Sequence, residues 1–426
     1  MWHQLIPKRV LSSNAAFSGL KLTRSAELVR EFIHDSLYNE RDGYFQRHVN
    51  IFSANNGPLP FTELRDHEEY SRRLYEMYKE QTSALKFYQL WHTPSELFRP
   101  WYAQGLAEYV KRQARNDPVI IYEVGPGNGT LCDDICDFYK VQYPEIYDRL
   151  EYHLIEISHH LVQTRLLSLQ KRHHGKIHIH NKSFLDWNIM EPRRVFVFAI
   201  EMFDNLPQDR VRFAADGALE QAMVVTNDDA KFGDRQAKYS EVFVPAEDPL
   251  IIEVVNALDS VGHDWPSTKR RLSSIFSKVW PMTLFQFDQP WESEFIPTGP
   301  YRFMKQLVRF FPKHHFLMTD FDALPETIEG HGGPTVQTRY EGDTVSCTTY
   351  LLQRGLFDIF FPLKFPVLGA LYKHLSGNKV KLFKQREFCQ ENANVLKTKT
   401  KSGYNPMLDD FENVSFLATL EDATVD

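Results

Sequence analysis

Apolar residues in the middle of the chain occur in four short blocks, and longer amphipathic stretches separate them. The four blocks cover residues 119–124, 152–157, 177–180 and 195–200, and β-branched and aromatic side chains are frequent in them. Blocks of this length indicate buried strands, whereas the helical spacing over 130–139 and 161–173 predicts helices. A further helix is expected after Phe203. This alternation predicts an α/β fold around a mostly parallel, doubly wound sheet.

The segments on either side of these blocks have a different pattern. Before them, helices are expected over 25–37 and 62–80, with a turn at Asp42–Gly43 between the two. After them, strands are expected at 222–225, 241–244, 315–320, 346–352 and 357–361, with helices around 250–258 and 301–311. We therefore divide the chain into an N-terminal helical cap with an insertion (25–117), a main α/β domain with inserted and C-terminal α+β elements (118–386), and a peripheral tail (387–426).

The first residues have the composition of a targeting segment. No acidic residue occurs from Met1 to Ala26, and the basic residues there are interspersed with serines. An acid-free, arginine-containing, serine-rich segment is typical of a mitochondrial transit peptide, and a secretory signal would need a continuous apolar centre. We expect residues 1–24 to direct the chain to the mitochondrion. A disordered basic tail is the alternative.

Charge and cysteine content exclude several classes of function. The formal net charge is −7, which gives no reason to expect nucleic-acid binding and fits a basic partner better. No stretch is long and apolar enough to span a bilayer. The four cysteines are too sparse for a disulfide scaffold, and neither they nor the histidine pairs complete a convincing ligand set. We therefore predict no metal site and no membrane span.

The strongest motif lies between the first predicted strand and the helix that follows it. Glu123 precedes three alternating glycines, Gly125, Gly127 and Gly129, and Thr130 follows them. Glycines let the backbone approach a ligand closely, and the helix offers free N–H groups to an anionic group. The order of the glycines departs from the dinucleotide fingerprint, and the lysine of a P-loop is missing. The motif predicts binding of S-adenosylmethionine; a plain tight turn is the alternative.

Two acidic residues follow the second and third predicted strands. Glu156 lies where doubly wound folds place an acid for ribose hydroxyl groups. Asp186 could accept a hydrogen bond from the adenine amino group, with Phe184 or Trp187 against the ring. The alternatives are a surface charge for Glu156 and a turn-capping role for Asp186.

A second pair of acids, Glu201 and Asp204, follows the fourth predicted strand. That strand end opens onto the ligand crevice in open α/β sheets, so both carboxylates can reach the methyl group of the cofactor. Methyl transfer needs mainly a positioned nucleophile and the exclusion of water. If the nucleophile is an arginine, the two carboxylates could hold its guanidinium group in a bidentate fashion. Structural capping is the alternative role for the pair.

These motifs together resemble the MidA family, mitochondrial and bacterial proteins similar to the protein-arginine methyltransferase that assists complex I assembly. The resemblance rests on residues 123–130, 154–158 and 201–207, and on two N-terminal motifs at 42–45 and 93–96. It implies a class I methyltransferase (Rossmann-like) fold, S-adenosylmethionine as cofactor, and symmetric dimethylation of arginine on a complex I subunit in the matrix. It also implies that Thr93 and Glu96 bind the substrate.

The chain departs from that family pattern at several positions. Asn128 stands where the family usually has arginine, and Ile200 stands where it has asparagine. The family's Asp-Tyr-Gly appears as residues 320–322 (Asp-Phe-Asp), residues 46–91 resemble an insertion, and 357–362 belong to a variant C-terminal part. Two other hypotheses therefore stand beside a protein-arginine methyltransferase. They are a catalytically inactive assembly factor that holds a basic subunit, and a methyltransferase acting on a small molecule.

Overall fold

The computed structural model describes residues 25–47, 49–51, 57–82, 89–91, 93–214, 216–227, 238–265, 292–328, 332–340 and 343–420. The predicted transit peptide, residues 1–24, lies outside this range. Part of the predicted insertion, 46–91, also lies outside it.

The strands of the described residues are β1 (Ala26–Leu28), β2 (Val49–Ile51), β3 (Gln89–Trp91), β4 (Ile120–Val124), β5 (Glu151–Glu156), β6 (Ile177–Asn181), β7 (Val195–Ile200), β8 (Asp209–Phe213), β9 (Leu219–Thr226), β10 (Tyr239–Pro245), β11 (Ser293–Ile296), β12 (His314–Phe321), β13 (Thr335–Tyr340), β14 (Asp343–Cys347), β15 (Asp358–Phe360), β16 (Lys379–Lys384) and β17 (Val414–Leu420). The α-helices are α1 (Val29–Tyr38), α2 (Tyr44–Arg47), α3 (His67–Thr82), α4 (Pro94–Leu97), α5 (Trp101–Ala114), α6 (Thr130–Gln142), α7 (Pro144–Tyr147), α8 (His159–Leu161), α9 (Leu167–Arg172), α10 (Pro249–Ser260), α11 (Thr298–Phe310), α12 (Phe365–Ser376), α13 (Gln385–Asn392) and α14 (Pro406–Asp409). A π-helical segment (Val162–Leu166) joins α8 to α9.

The centre of the protein is a seven-stranded sheet with the order β16-β17-β12-β7-β4-β5-β6. Neighbouring strands from β12 to β6 are parallel, and β17 runs antiparallel to β12. The chain proceeds outward from β4 through β5 to β6 and then returns to the other side of β4 to form β7. The order therefore reverses between β4 and β7, which is where ligands bind in open α/β sheets. The predicted α/β fold of the class I methyltransferase type is confirmed.

Helices cover both faces of this sheet. On one face, α5, α6 and α13 contribute to one hydrophobic cluster, and on the other face α10, α11 and α12 contribute to a second. All six residues of β7 are buried, as expected of a central strand that is covered on both sides. Within the described residues, no helix has the length and apolar character needed to cross a bilayer.

Three smaller sheets surround the central one. An antiparallel sheet of β1, β9, β8 and β11, with β10 on β9, lies between β7 and β12 in sequence and takes β1 from the N-terminal part. The strands β14, β13 and β15 form a second sheet, and β2 and β3 form a parallel pair. The first two of these sheets are the inserted and C-terminal α+β elements that the sequence predicts, whereas the β2–β3 pair lies in the predicted N-terminal helical cap with its insertion.

Four expectations about individual elements are wrong. The segment after Phe203 forms strand β8, in which Val211 is buried between the half-buried Arg210 and Arg212. Residues 26–28 are a strand of the second sheet rather than the start of a helix. The strand expected over 346–352 lies earlier in the chain, because β14 ends at Cys347 and pairs with β13. The tail expected to be peripheral contains β17, a buried strand inside the central sheet.

Candidate functional site

The glycine-rich loop connects β4 to α6 at the point where the strand order reverses. Gly125, Gly127 and Gly129 all have positive φ angles, of 72°, 55° and 77°. Side chains other than glycine rarely adopt this conformation, so the motif's glycines are required by the backbone. Gly125 is exposed and Gly127 is half-buried, and Gly129 is the N-cap residue of α6. The loop therefore presents main chain at the surface beside the start of a helix.

Glu123 lies beneath this loop rather than on its open side. Its side chain is 3% exposed, and the hydroxyl of Tyr152 donates a hydrogen bond to Glu123 Oε2 at 2.8 Å. Burial raises the pKa of Glu123 to about 7. These contacts connect β4 to β5 below the loop. Direct contact of Glu123 with the cofactor stays a prediction.

Glu156 ends β5 next to the loop. Its carboxylate accepts the Ser158 N–H at 2.7 Å, and the Asn181 side chain donates to its main-chain carbonyl at 2.8 Å. Burial raises the pKa of Glu156 to about 7, while backbone N–H groups of Ser158 and Gly127 act in the opposite direction. The acid predicted for ribose hydroxyl groups therefore lies within reach of the middle glycine of the loop.

Glu96 contacts the same loop from the N-terminal part of the chain. Its Oε1 atom accepts hydrogen bonds from the Asn128 amide at 2.9 Å and from the Thr130 hydroxyl at 2.6 Å. Thr93 caps the short helix α4 by accepting the Glu96 N–H at 3.3 Å. The two residues predicted to bind substrate thus hold the cofactor loop in place. A contact with substrate stays a prediction.

Asp186 is placed apart from these groups. Its side chain is 74% exposed, and its nearest cation is the Arg302 guanidinium at 4.0 Å. Phe184 is buried and stacks on Phe303 with a centroid distance of 4.2 Å, and Trp187 is also buried. Both rings therefore pack in the core, and contact of Asp186, Phe184 or Trp187 with an adenine ring stays a prediction.

Glu201 follows β7 with an unusual backbone. Its φ angle is 51°, a conformation that is uncommon for a residue with a side chain and that occurs often at functional sites. The Glu201 N–H donates to the Thr319 carbonyl at 2.8 Å, which ties the turn to β12. Its Oε1 atom is buried and makes no hydrogen bond within the described part of the chain. Burial, and then the charge of Asp320, raise the pKa of Glu201 well above its usual value.

Asp204 lies in the same turn and is 3% exposed. The main-chain N–H groups of Phe203 and Asp204 donate to Asp320 Oδ2 at 2.8 and 3.1 Å, so Asp320 organises the turn. Asp204 Oδ1 is buried without a hydrogen-bonding partner among the described residues. Burial and the charges of Asp320, Asp358 and Glu201 raise the pKa of Asp204 well above its usual value. The structure therefore brings Glu201 and Asp204 together, as the sequence predicts.

Two residues of this region were not identified from the sequence. Asp358 in β15 is fully buried, and its Oδ1 atom accepts a hydrogen bond from the Asn205 amide at 3.1 Å. Tyr38 at the end of α1 donates to the Asn205 carbonyl at 3.2 Å. Both come from distant parts of the chain. The only signal for Asp358 is a single acid within the apolar run 357–361.

The residues at the switch point fit S-adenosylmethionine. The exposed backbone of a loop with three positive φ angles allows close approach of a ligand, and α6 begins directly behind it. Glu156 stands at the neighbouring strand end, where ribose hydroxyl groups are bound in related folds. Within the described ranges, no group of three or more His, Cys, Asp or Glu side chains could hold a metal ion.

Comparison with solved structures identifies proteins with the same fold. A COG1565 superfamily member from Burkholderia thailandensis, solved bound to S-adenosyl-homocysteine, has a TM-score of 0.57 and 13% identity over 93% of this chain and 88% of that chain. A native structure of a COG1565 superfamily protein from the same organism, solved by iodide phasing, has a TM-score of 0.54 and 12% identity over 93% of this chain and 87% of that chain. A comparison with curated proteins finds no match.

The family comparison covers the part of the chain that forms the site. Residues 102–384 match the model of the family Methyltransf_28, described as "Putative S-adenosyl-L-methionine-dependent methyltransferase". The match extends from α5 through the glycine-rich loop and the turn after β7 to β16, which is more than half of the chain. The cofactor predicted from the glycine loop, S-adenosylmethionine, agrees with this family. The chain belongs to the Methyltransf_28 family of S-adenosylmethionine-dependent methyltransferases.

Proposed function

We propose that this methyltransferase acts on an arginine side chain of a mitochondrial protein, such as a subunit of respiratory complex I. The observation that carries the proposal is the turn after β7, where Glu201 and Asp204 are buried beside the cofactor loop without an ion pair to any described lysine or arginine. A buried carboxylate is costly unless a cation accompanies it. A basic acceptor would supply that cation. The resemblance to the MidA family and the composition of residues 1–24 support the remaining parts of the proposal.

Several residues of the chain would hold the cofactor. The main chain of the loop from Gly125 to Gly129 would contact the amino-acid part, and Glu156 would accept hydrogen bonds from the ribose. Glu96 would keep the loop in place through Asn128 and Thr130. When bound, S-adenosylmethionine supplies an electrophilic methyl group on sulfur, which keeps the bonding electron pair on transfer.

Glu201 and Asp204 would orient the methyl acceptor. A guanidinium group carries five N–H donors in a planar fork, and carboxylates bind this fork with defined geometry. Such binding leaves one nitrogen directed toward the methyl group and draws positive charge away from it. The nitrogen loses one proton when it is methylated, and the Glu201 carboxylate would accept this proton. The raised pKa of Glu201 favours that role.

Calorimetry and a methyl-transfer assay test the proposal. We expect the purified chain to bind S-adenosyl-homocysteine, and we expect mitochondrial protein extract to gain dimethylarginine when the chain and labelled S-adenosylmethionine are added. Glu201→Gln should retain cofactor binding and lose at least about 100-fold in transfer rate, since one electrostatic group at the reacting centre is removed. Absence of S-adenosyl-homocysteine binding, or transfer to free metabolites without any protein acceptor, would refute the proposal.

A non-catalytic assembly factor is a second candidate, and Ile200 favours it. Ile200 is 9% exposed and packs in the hydrophobic cluster with α5 and α6, so it contributes no polar group beside Glu201. Under this hypothesis the acids hold a basic partner without methylating it. Mass spectrometry of mitochondrial proteins from cells with and without the chain distinguishes the two. A dimethylarginine that disappears with the chain, and that Glu201→Gln fails to restore, excludes the second candidate.

A further inference from the structure

Several buried acids elsewhere in the protein are accompanied by cations. Arg30 contacts Asp209 at 2.7 Å, and Arg99 contacts Asp134 at 2.7 Å. Glu294 lies between His263, at 3.0 Å, and Lys364, at 2.5 Å. Such pairing is the general rule for charges inside proteins, because an unpaired buried charge is strongly destabilising.

The acids at the ends of β7 and β12 and at the start of β15 have no such cation among the described residues, and in this they resemble Glu123 and Glu156 beside the glycine loop. We refer to Glu201, Asp204, Asp320 and Asp358 as the strand-end acids. Among the residues that the structure describes, no lysine or arginine forms an ion pair with any of them, and mutual repulsion contributes to the raised pKa of Asp204. Burial raises the pKa of Asp358 to about 8. The protein thus concentrates acidic groups without supplying the charge that would balance them.

Only part of this cluster is explained by the fold. Asp320 accepts three main-chain N–H groups, from Phe203, Asp204 and Phe321. By contrast, Glu201 Oε1, Asp204 Oδ1 and Asp358 Oδ2 are each buried and have no hydrogen-bonding partner in the described part. Buried polar atoms are usually paired in native proteins, and a bound cation is one group that would pair with three acidic oxygens placed together.

Two buried hydroxyl groups lie beside these acids. Tyr102 and Thr319 are each 1% exposed, and their hydroxyl groups interact with each other, although no hydrogen bond of normal length to a described residue is formed by either. Tyr102 lies within electrostatic reach of the Glu201 carboxylate, and the Thr319 carbonyl holds the Glu201 N–H. Buried polar atoms without a hydrogen bond of normal length therefore occur on Asp358 and also on the residues next to Glu201.

Asp358 is held in this cluster by contacts with the turn after β7. Asn205 donates its side-chain amide to Asp358 Oδ1, and the Phe361 N–H donates to the Asp204 carbonyl at 2.8 Å. Tyr38 donates to the Asn205 carbonyl, and the charges of Asp204, Asp358 and Glu156 all act on its phenol. The phenol of Tyr38 is consequently within electrostatic reach of Glu156, Asp204 and Asp358.

We propose that Asp358, together with Asp204, binds the positively charged guanidinium group of the methyl acceptor and thereby determines the specificity for a cation. The inference rests on the proposed function, because it assigns a residue to the same acceptor. Asp358 comes from the sheet of β13, β14 and β15 rather than from the central sheet that carries the glycine loop. Under this assignment Asp358 contacts the substrate from the small sheet, whereas the cofactor is held by the loop and strand ends of the central sheet.

Calorimetry with a small arginine analogue tests this assignment. N-acetylarginine methylamide is titrated into the full chain saturated with S-adenosyl-homocysteine, and the neutral isostere N-acetylcitrulline methylamide serves as the ligand control. We expect the arginine analogue to bind and the citrulline analogue not to bind. Asp358→Asn should weaken arginine binding by about 10- to 100-fold, the size of one charge-assisted hydrogen bond. Asp343→Asn, an equal charge change on an exposed residue of the same sheet, should leave it unchanged.

The urea midpoint of Asp358→Asn separates ligand binding from a structural role. At pH 9, above the folded pKa of about 8, Asp358→Asn removes an unpaired buried charge and should leave the midpoint equal or higher, whereas a structural role for Asp358 would lower it. The assignment is overturned if this variant binds the arginine analogue as well as wild type, loses S-adenosyl-homocysteine affinity, or unfolds at lower urea. It is also overturned if the citrulline analogue binds equally, or if S-adenosyl-homocysteine binds and the arginine analogue does not. Failure of S-adenosyl-homocysteine to bind refutes the proposed function itself.

Discussion

Gly129 offers a direct test of how the cofactor loop is constrained. Its φ angle is +77°, and a Cβ atom at this position would lie 2.8 Å from Leu169 Cδ2 and 2.9 Å from Leu166 Cδ2. Leu166 is fully buried and Leu169 is 7% exposed, so neither side chain can move into solvent. Gly129→Ala therefore combines backbone strain with a steric clash against the helix that follows β5.

Gly175 provides a matched control for the backbone contribution. Its φ angle is +78°, and nothing lies within 4 Å of a Cβ built on it. Gly175→Ala should lower the free energy of unfolding by about 1–2 kcal/mol, the strain of a left-handed residue with a side chain. Gly129→Ala should lower the free energy of unfolding by that amount and by a further ~1–3 kcal/mol from overpacking.

Urea unfolding and calorimetry with S-adenosyl-homocysteine measure the two effects. We expect Gly129→Ala to be less stable than Gly175→Ala and to bind S-adenosyl-homocysteine at least about tenfold more weakly, because the clash displaces the loop and the start of α6. Gly175→Ala should bind as wild type does. Equal free energies of unfolding for the two variants would show that the leucines do not constrain Gly129.

Two further predictions concern stability. Between about pH 7.5 and 8.5, stability should fall as pH rises, because Asp358 has a folded pKa of about 8 and is already ionised in the unfolded chain, while histidines with lowered pKa are largely neutral in both states. Urea titrations at several pH values should show this slope flattened in Asp358→Asn; an unchanged slope would contradict the assignment. Arg30→Met should lower the free energy of unfolding by about 3–5 kcal/mol, because Asp209 is left buried without its cation. Asp209→Asn in the same chain should restore part of the loss, and no restoration would contradict this reasoning.

The sequence predicts the centre of the fold because its signals are local. The apolar block at 195–200 coincides with β7, and the other three blocks correspond to β4, β5 and β6 within a residue or two. The glycine motif predicts a loop whose backbone can approach a ligand closely, and all three glycines adopt positive φ angles in it. An acid after a parallel strand must lie at the same sheet edge as the other strand ends. Glu156, Glu201 and Asp204 were therefore identifiable without coordinates.

The elements that the sequence did not predict depend on pairing between distant segments. Strand β17 contains serine and threonine among its apolar residues, and its place inside the central sheet follows from pairing with β12 and β16. Phe184 and Trp187 are aromatic residues of the kind that can stack on a bound adenine. In the structure they pack against Phe303 of α11 and against Phe311, which follows it, and are buried there.

The sequence by itself determined the α/β fold, the cofactor loop and the acids at the parallel strand ends, because periodicity, glycine geometry and strand direction are local properties. Only the tertiary structure decided that Glu96 holds the loop and that Asp358 and Tyr38 join Asp204. These residues lie far apart in the chain, and no local pattern marks Tyr38 or Asp358 as part of the site. Their proximity arises from how the N-terminal helix and the C-terminal sheet pack against the turn after β7.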